Sequence, residues 1–281
     1  MKTININGEL IDLSTPLVMG IINITPDSFY SGSRKRSEQE IIDRCRQILD
    51  EGGRMIDVGA QSSSPVSKFM SVEEEAERLM PALAIIRREF PDAILSVDTF
   101  YSEIAKRSVG DYGVNIINDI SGGQIDENMF GVVAELNVPY ILMHMIGTPQ
   151  TMQTHTNYEN LIQEILYWLS EKKAKLDMLG VNDVIIDPGF GFSKTTSQNY
   201  ELMAYLKYFD IFEEPLLVGI SRKSMIYKLL GLTPEQSLNG TTVLNTMALM
   251  YGANILRVHD VKEAVECVRM VSEVSKFDKL L

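Results

Sequence analysis

The chain reads as an α/β protein built as a (β/α)8 TIM barrel with an N-terminal β-hairpin. Three observations predict this. About eight short apolar runs occur, each followed by an amphipathic helical stretch. The length, 281 residues, suits eight such units. An open doubly wound sheet normally shows a Gly-rich dinucleotide turn after its first strand, and none is present.

Thr3 to Leu13 alternates apolar and polar residues around Asn7-Gly8, a dipeptide suited to a tight hairpin turn, and the hairpin is expected to plug one end of the domain. Leu17 to Ile22 is a first buried strand, followed by the polar loop Asn23 to Ser28. Ser37, with Glu40 three places on, predicts a capping box that opens a helix. Later strands are expected near 55–58, 94–97, 115–117, 140–143, 184–186, 216–218 and 255–258. Residues 158–178 predict a helix with one apolar face, including Leu161, Ile165 and Trp168, that packs on the barrel. With no break in composition, residues 1–281 read as a single domain.

A net charge of −12 argues against a nucleic-acid or anionic-membrane surface. No apolar run spans a bilayer and residues 1–10 lack a secretory core, so a cytoplasmic protein is expected. Cys45 and Cys267 read as buried helical thiols, and the 15 methionines as core filling. His155 reads as a surface residue. Three histidines, none in an H-x-H pair, make a metal hydrolase a poor reading.

In a barrel the chemistry collects where strands end. Those positions hold Asn23, Gln61 to Ser64, Asp98, Asn118 and Asp119, and His144. The later strands add Asp187, then Ser221, Arg222 and Lys223, then Arg257, His259 and Asp260. Asp98, Asn118 and Asp187 suit a flat, nitrogen-rich heterocycle, because carboxylates accept paired N–H donors and the amide matches mixed sites. For either aspartate alone, a helix cap or ion pair is the competing explanation. Lys223, Arg257 and His259, beside Asn23 as an oxygen donor to Mg2+, form a cationic set for a phosphate or diphosphate.

Met19 to Phe29, Ser96 to Thr99, Asn118 to Gly122, Met143 to Met145 with Gly147 to Pro149, Asp187 to Phe192, Gly219 to Ser224 and Arg257 to Asp260 form an ordered series. It resembles the motif series of dihydropteroate synthases, and the likeness runs over about residues 17–266. The resemblance implies a transferase of folate biosynthesis. Such enzymes join 4-aminobenzoate to 6-hydroxymethyl-7,8-dihydropterin diphosphate, giving 7,8-dihydropteroate and diphosphate.

It further implies that Asp98, Asn118 and Asp187 hold the pterin edge and Lys223 its carbonyl side, with Met143 and Phe192 on the ring faces and Gly219 beside them. Asn23 would ligate Mg2+, and Arg257, His259 and Ser63 would meet the diphosphate. The aminobenzoate would lie among Thr25, Pro26, Asp27, Phe29, Ser62, Ser64 and Pro65, near Ser221, with Phe190 as an edge. Lys223, Arg257, His259 and Asp98 would carry the catalysis. The expected chemistry is a dissociative displacement, because carboxylates face the positive pterin and cations face the leaving group. A homodimer through the last helices is implied as well.

Two departures stand out. The family usually has an arginine where this chain has Ser64, and an arginine or lysine is common where it has Ile146. Lys68, Arg34, Lys35 or Arg36 are the nearest candidates to substitute. A pterin-binding barrel with weakened catalysis, or less favoured a pterin-dependent methyltransferase, are the alternatives.

Overall fold

Asn7 and Gly8 both take positive φ, 53° and 88°, so the first two strands turn back as a tight hairpin. β1 (Thr3–Ile6) pairs antiparallel with β2 (Glu9–Asp12), Ile6 opposite Glu9. In this computed structural model the described residues are 2–24, 34–61 and 69–277. The side chains of residues 34–37 fall outside the description as well.

The chain continues through β3 (Leu17–Asn23), α1 (Arg34–Asp50), β4 (Met55–Gly59), α2 (Val72–Glu89), β5 (Ile94–Asp98) and α3 (Ser102–Tyr112). Then come β6 (Ile116–Asp119), α4 (Met129–Leu136), β7 (Tyr140–Met143), α5 (Leu161–Met178), β8 (Val184–Asp187) and α6 (Thr196–Ala204). The last elements are β9 (Leu217–Val218), α7 (Ser224–Leu230), α8 (Leu238–Met250), β10 (Ile255–Val258) and α9 (Val261–Ser275).

The eight strands after the hairpin pair in parallel in the order β8-β7-β6-β5-β4-β3-β10-β9. A bridge between Ile186 and Leu216, with the Ile186 N–H donating to Pro215 O at 2.8 Å, brings β8 against β9 and closes the barrel. The hairpin forms the expected plug: Ile4, Ile6 and Leu13 pack with Met19, Met55, Ile116, Ile141, Ile185, Leu217 and Ile255. Those seven lie toward the amino ends of their strands, so the opposite end stays open for chemistry. Cys45 and Cys267 are free, buried thiols in α1 and α9.

Two helix starts differ from expectation. α1 begins at Arg34, so Ser37 lies inside the helix rather than at its cap; Arg34, Lys35 and Arg36 are good helix formers and extend it backwards. α5 begins later than predicted, at Leu161, because the Asn160 side chain accepts the Gln163 N–H (3.1 Å) and fixes the start.

Asp119, at the end of β6, is fully buried and accepts from the Ser121 N–H (2.7 Å), the Gly123 N–H (2.8 Å) and the Tyr140 hydroxyl (2.7 Å). It holds a turn instead of joining the ring of site residues. Tyr140→Phe removes one of these bonds and is expected to cost about 1 to 2 kcal/mol, read from the urea midpoint.

Candidate active site

Alternation along β4 sends Met55 into the plug layer, and the same face carries Asp57 one step nearer the open end. Asp57 is fully buried. One carboxylate oxygen accepts from Arg257 Nε at 2.6 Å and from Asn118 Nδ2 at 3.2 Å. Its other oxygen meets no donor among the described residues. Arg257 also donates through Nη2 to Asp98 at 2.7 Å, so one guanidinium spans two carboxylates. Burial, with Asp57 and Asp119 adding to it and Arg257 opposing, holds the Asp98 carboxyl above its usual range.

Asp187 stands in the same mouth and accepts the Gly189 N–H at 2.7 Å. Burial raises its pKa too, against the pull of Lys223, the Gly189 N–H and Arg257. Lys223 donates to Phe190 O and sits 4.6 Å from the centre of the Phe192 ring. Burial lowers its pKa to about 8, with Asp187 opposing. Met143 and Phe192 share an apolar wall with Phe100, Ile120, Met145 and Met152. Gly219 is buried beside Arg257. The expected pterin residues are therefore gathered at one end of the barrel, with Asp187 and Arg257 close enough to influence each other's charge.

The anionic corner differs from expectation. Burial and the neighbouring Arg257 lower the His259 pKa to about 4, so the imidazole is neutral at pH 7 and adds no charge to this corner. Arg222 does not face the mouth as a free cation, because Nε and Nη2 grip Asp260 at 2.9 and 2.5 Å. Ser221 Oγ accepts the His259 N–H at 3.1 Å. Asn23, exposed at the end of β3, opens with Arg44, His259 and Lys262 onto a cleft of about 600 Å³. Arg44, overlooked in the sequence, donates to His259 O at 2.6 Å.

The Phe190 ring is fully buried among the barrel and helix side chains, and its carbonyl accepts from Lys223. Thr25, Pro26, Asp27, Phe29, Ser62, Ser63, Ser64 and Pro65 lie outside the described residues, as do Arg34 to Arg36 as side chains and Lys68. Gln61 accepts the Met70 N–H at 3.1 Å, tying the end of β4 to the approach of α2.

Gly189 has φ +73°, and an added Cβ would stand 2.0 Å from His144 O. Gly189→Ala is expected to destabilise the chain by roughly 3 kcal/mol or more, since backbone strain and a backbone clash coincide. Urea unfolding checks it.

A closed parallel barrel whose open end gathers carboxylates, an amide, a lysine and an arginine over an apolar wall is built to hold a polar heterocycle. The chain belongs to the family described as pterin binding enzyme, which it matches over residues 19–259. It is 41% identical over 266 residues to the dihydropteroate synthase of Escherichia coli K12, covering 94% of this chain and 93% of that one. The Yersinia pestis dihydropteroate synthase in a sulfonamide drug complex superposes with a TM-score of 0.90 at 36% identity, over 98% of this chain and 99% of that one. The Thermus thermophilus enzyme in complex with 4-aminobenzoate gives 0.86 at 32% identity, over 97% and 100%.

Proposed function

We propose that the chain is a dihydropteroate synthase, condensing 6-hydroxymethyl-7,8-dihydropterin diphosphate with 4-aminobenzoate. One observation carries the reading at atomic level: Asp57, Asn118, Asp98 and Arg257 form a continuous hydrogen-bonded network facing Asp187 and Lys223 across one mouth. Asp98, Asn118 and Asp187 take the N–H edge of the pterin and Lys223 its carbonyl side, while Met143 and Phe192 pack its faces. Arg257, His259 and Ser63 meet the diphosphate.

The reaction breaks the bond between the pterin methylene and diphosphate oxygen, whose electron pair leaves with diphosphate. The arylamine lone pair then bonds the methylene, and the amine loses a proton. Carboxylates stabilise the transient pterin cation and Arg257 the departing anion, which is complementarity to the separated charges. The guanidinium links both halves. It leans on Asp57 and Asp98 at the floor and is available to the tail.

Among the described residues no group of three or more His, Cys, Asp or Glu is placed to hold a metal ion. The single amide oxygen of Asn23, exposed at the cleft, fits a Mg2+ that arrives on the diphosphate with its own waters, and such an ion would neutralise leaving-group charge. EDTA is then expected to abolish turnover and added Mg2+ to restore it, with thermal unfolding of the ligand-free chain unchanged.

No described helix is long and apolar enough to cross a membrane. Exposed Val243 and Met250 on α8, with Met270 and Val274 on α9, support a homodimer through these helices, testable by sedimentation.

The deciding assay is diphosphate release with and without 4-aminobenzoate. Release that depends on the arylamine is the expected result, and tight pterin binding without release would mark a catalytically weakened paralogue. Ser64→Arg is expected to raise kcat/KM about tenfold, the worth of one charge-assisted contact. Sulfonamides, as analogues of the arylamine, are expected to compete with it.

A further inference from the structure

Lys194 stands between β8 and α6 in a run of polar residues, Ser193 to Ser197, where a solvated side chain would be ordinary. It is instead only 3% exposed. Its ammonium donates to Gly189 O at 2.9 Å and to Phe192 O at 3.0 Å, and lies 3.0 Å from His144 Nδ1. Three donors thus meet three acceptors. Burial and the Lys194 charge hold the His144 pKa well below its usual value, so the imidazole is neutral, and facing an ammonium its Nδ1 is the nitrogen placed to accept.

This contact joins two loops. His144 follows β7, and Gly189 to Phe192 follow β8. The same seam is sewn twice more. Ser193 Oγ accepts the Ile146 N–H and donates to Ile146 O, both at 2.9 Å, and the Tyr158 hydroxyl donates to Ser193 O at 2.8 Å. The gripped segment is the one that aims Lys223, through Phe190 O and the Phe192 ring.

We propose that Lys194, acting through His144, is a positioning residue for the pterin half of the site: it fixes the loop after β8 so that Lys223 and Phe192 stand ready for the heterocycle. The inference rests on the synthase reading and adds a residue that touches neither substrate. A loop displaced by about an ångström is enough to cost a large factor at an oriented site.

The test measures KM for both substrates, and calorimetric binding of the dihydropterin diphosphate without 4-aminobenzoate. The variants are Lys194→Met, His144→Asn and His144→Leu. The asparagine oxygen can still accept from Lys194, whereas leucine cannot. Expected are a pterin KM raised about tenfold or more in Lys194→Met and His144→Leu, a 4-aminobenzoate KM within about twofold, and His144→Asn within about threefold of the parent. In ¹⁵N spectra His144 Nδ1 should read as unprotonated in the parent and lose that fixed state in Lys194→Met.

Equal pterin affinity in His144→Leu and His144→Asn overturns the proposal. So does equal weakening of both substrates, the mark of general structural damage. If Lys194→Met does not fold, the two His144 variants decide. A parent that binds pterin but turns over nothing would defeat the synthase reading alone, since the binding arm still tests the clamp.

Discussion

Asp57→Ala is expected to lower kcat/KM by about 100-fold or more and to cost roughly 3 kcal/mol of stability. The carboxylate is fully buried and is the common acceptor for Arg257 Nε and Asn118 Nδ2. Truncating it leaves a guanidinium that is 20% exposed with Asp98 as its remaining close carboxylate, and leaves the Asn118 amide short of an acceptor. The first effect misaims the arginine proposed to meet the leaving group. The second loosens the amide proposed to meet the pterin. Asp57→Asn keeps the shape and one acceptor and should fall between the parent and Asp57→Ala. Steady-state kinetics and urea unfolding read both effects, and a variant within about threefold of the parent in kcat/KM would remove Asp57 from the site network.

The second large effect is a narrow pH optimum. On the proposed function Lys223 would meet the pterin as an ammonium, and burial brings its pKa down from 10.5 to about 8; Lys194 is brought down to about 7 by burial. Activity is therefore expected to decline as pH rises from about 7 through about 8. On the acid side Asp98 and Asp187, both raised by burial, lose their acceptor charge at a higher pH than ordinary carboxylates do. The profile of kcat/KM is a bell that peaks near neutrality.

The stability signs are opposite to those of surface ion pairs. A lysine whose folded pKa is depressed contributes stability that is present above 10.5 and lost as pH falls through about 8, so at pH 7 the charged Lys223 burdens the fold. Lys223→Arg, which does not titrate in this range, should remove the later of the two alkaline steps. A flank that stays at about 8 in that variant would show that another group sets it.

Much of this was legible because a barrel advertises itself: every strand is a short apolar run, and Asp98, Asn118, Asp187 and Lys223 stand where such runs stop. Asp57 was hidden inside a run, Met55 to Gly59, and looking only at strand ends passed over it. The period of two would have found it, since it shares a face with Met55. The charge state of His259 depends on Arg257 two residues away and on burial, and the Arg222 to Asp260 pair spans 38 positions, so neither follows from local pattern. Lys194 was obscured by polar neighbours. Nothing in Ser193 to Ser197 announces a buried ammonium whose three acceptors come from the ends of two different strands.

The stopper made by residues 3–13 has a practical reading. Because Ile4, Ile6 and Leu13 seat against the amino ends of the strands, the hairpin lies on the side remote from the reactive opening. A tether, bead or fused partner attached there would leave that opening turned toward solution, whereas trimming the first turn would uncork the base beneath Met19, Met55 and Ile255.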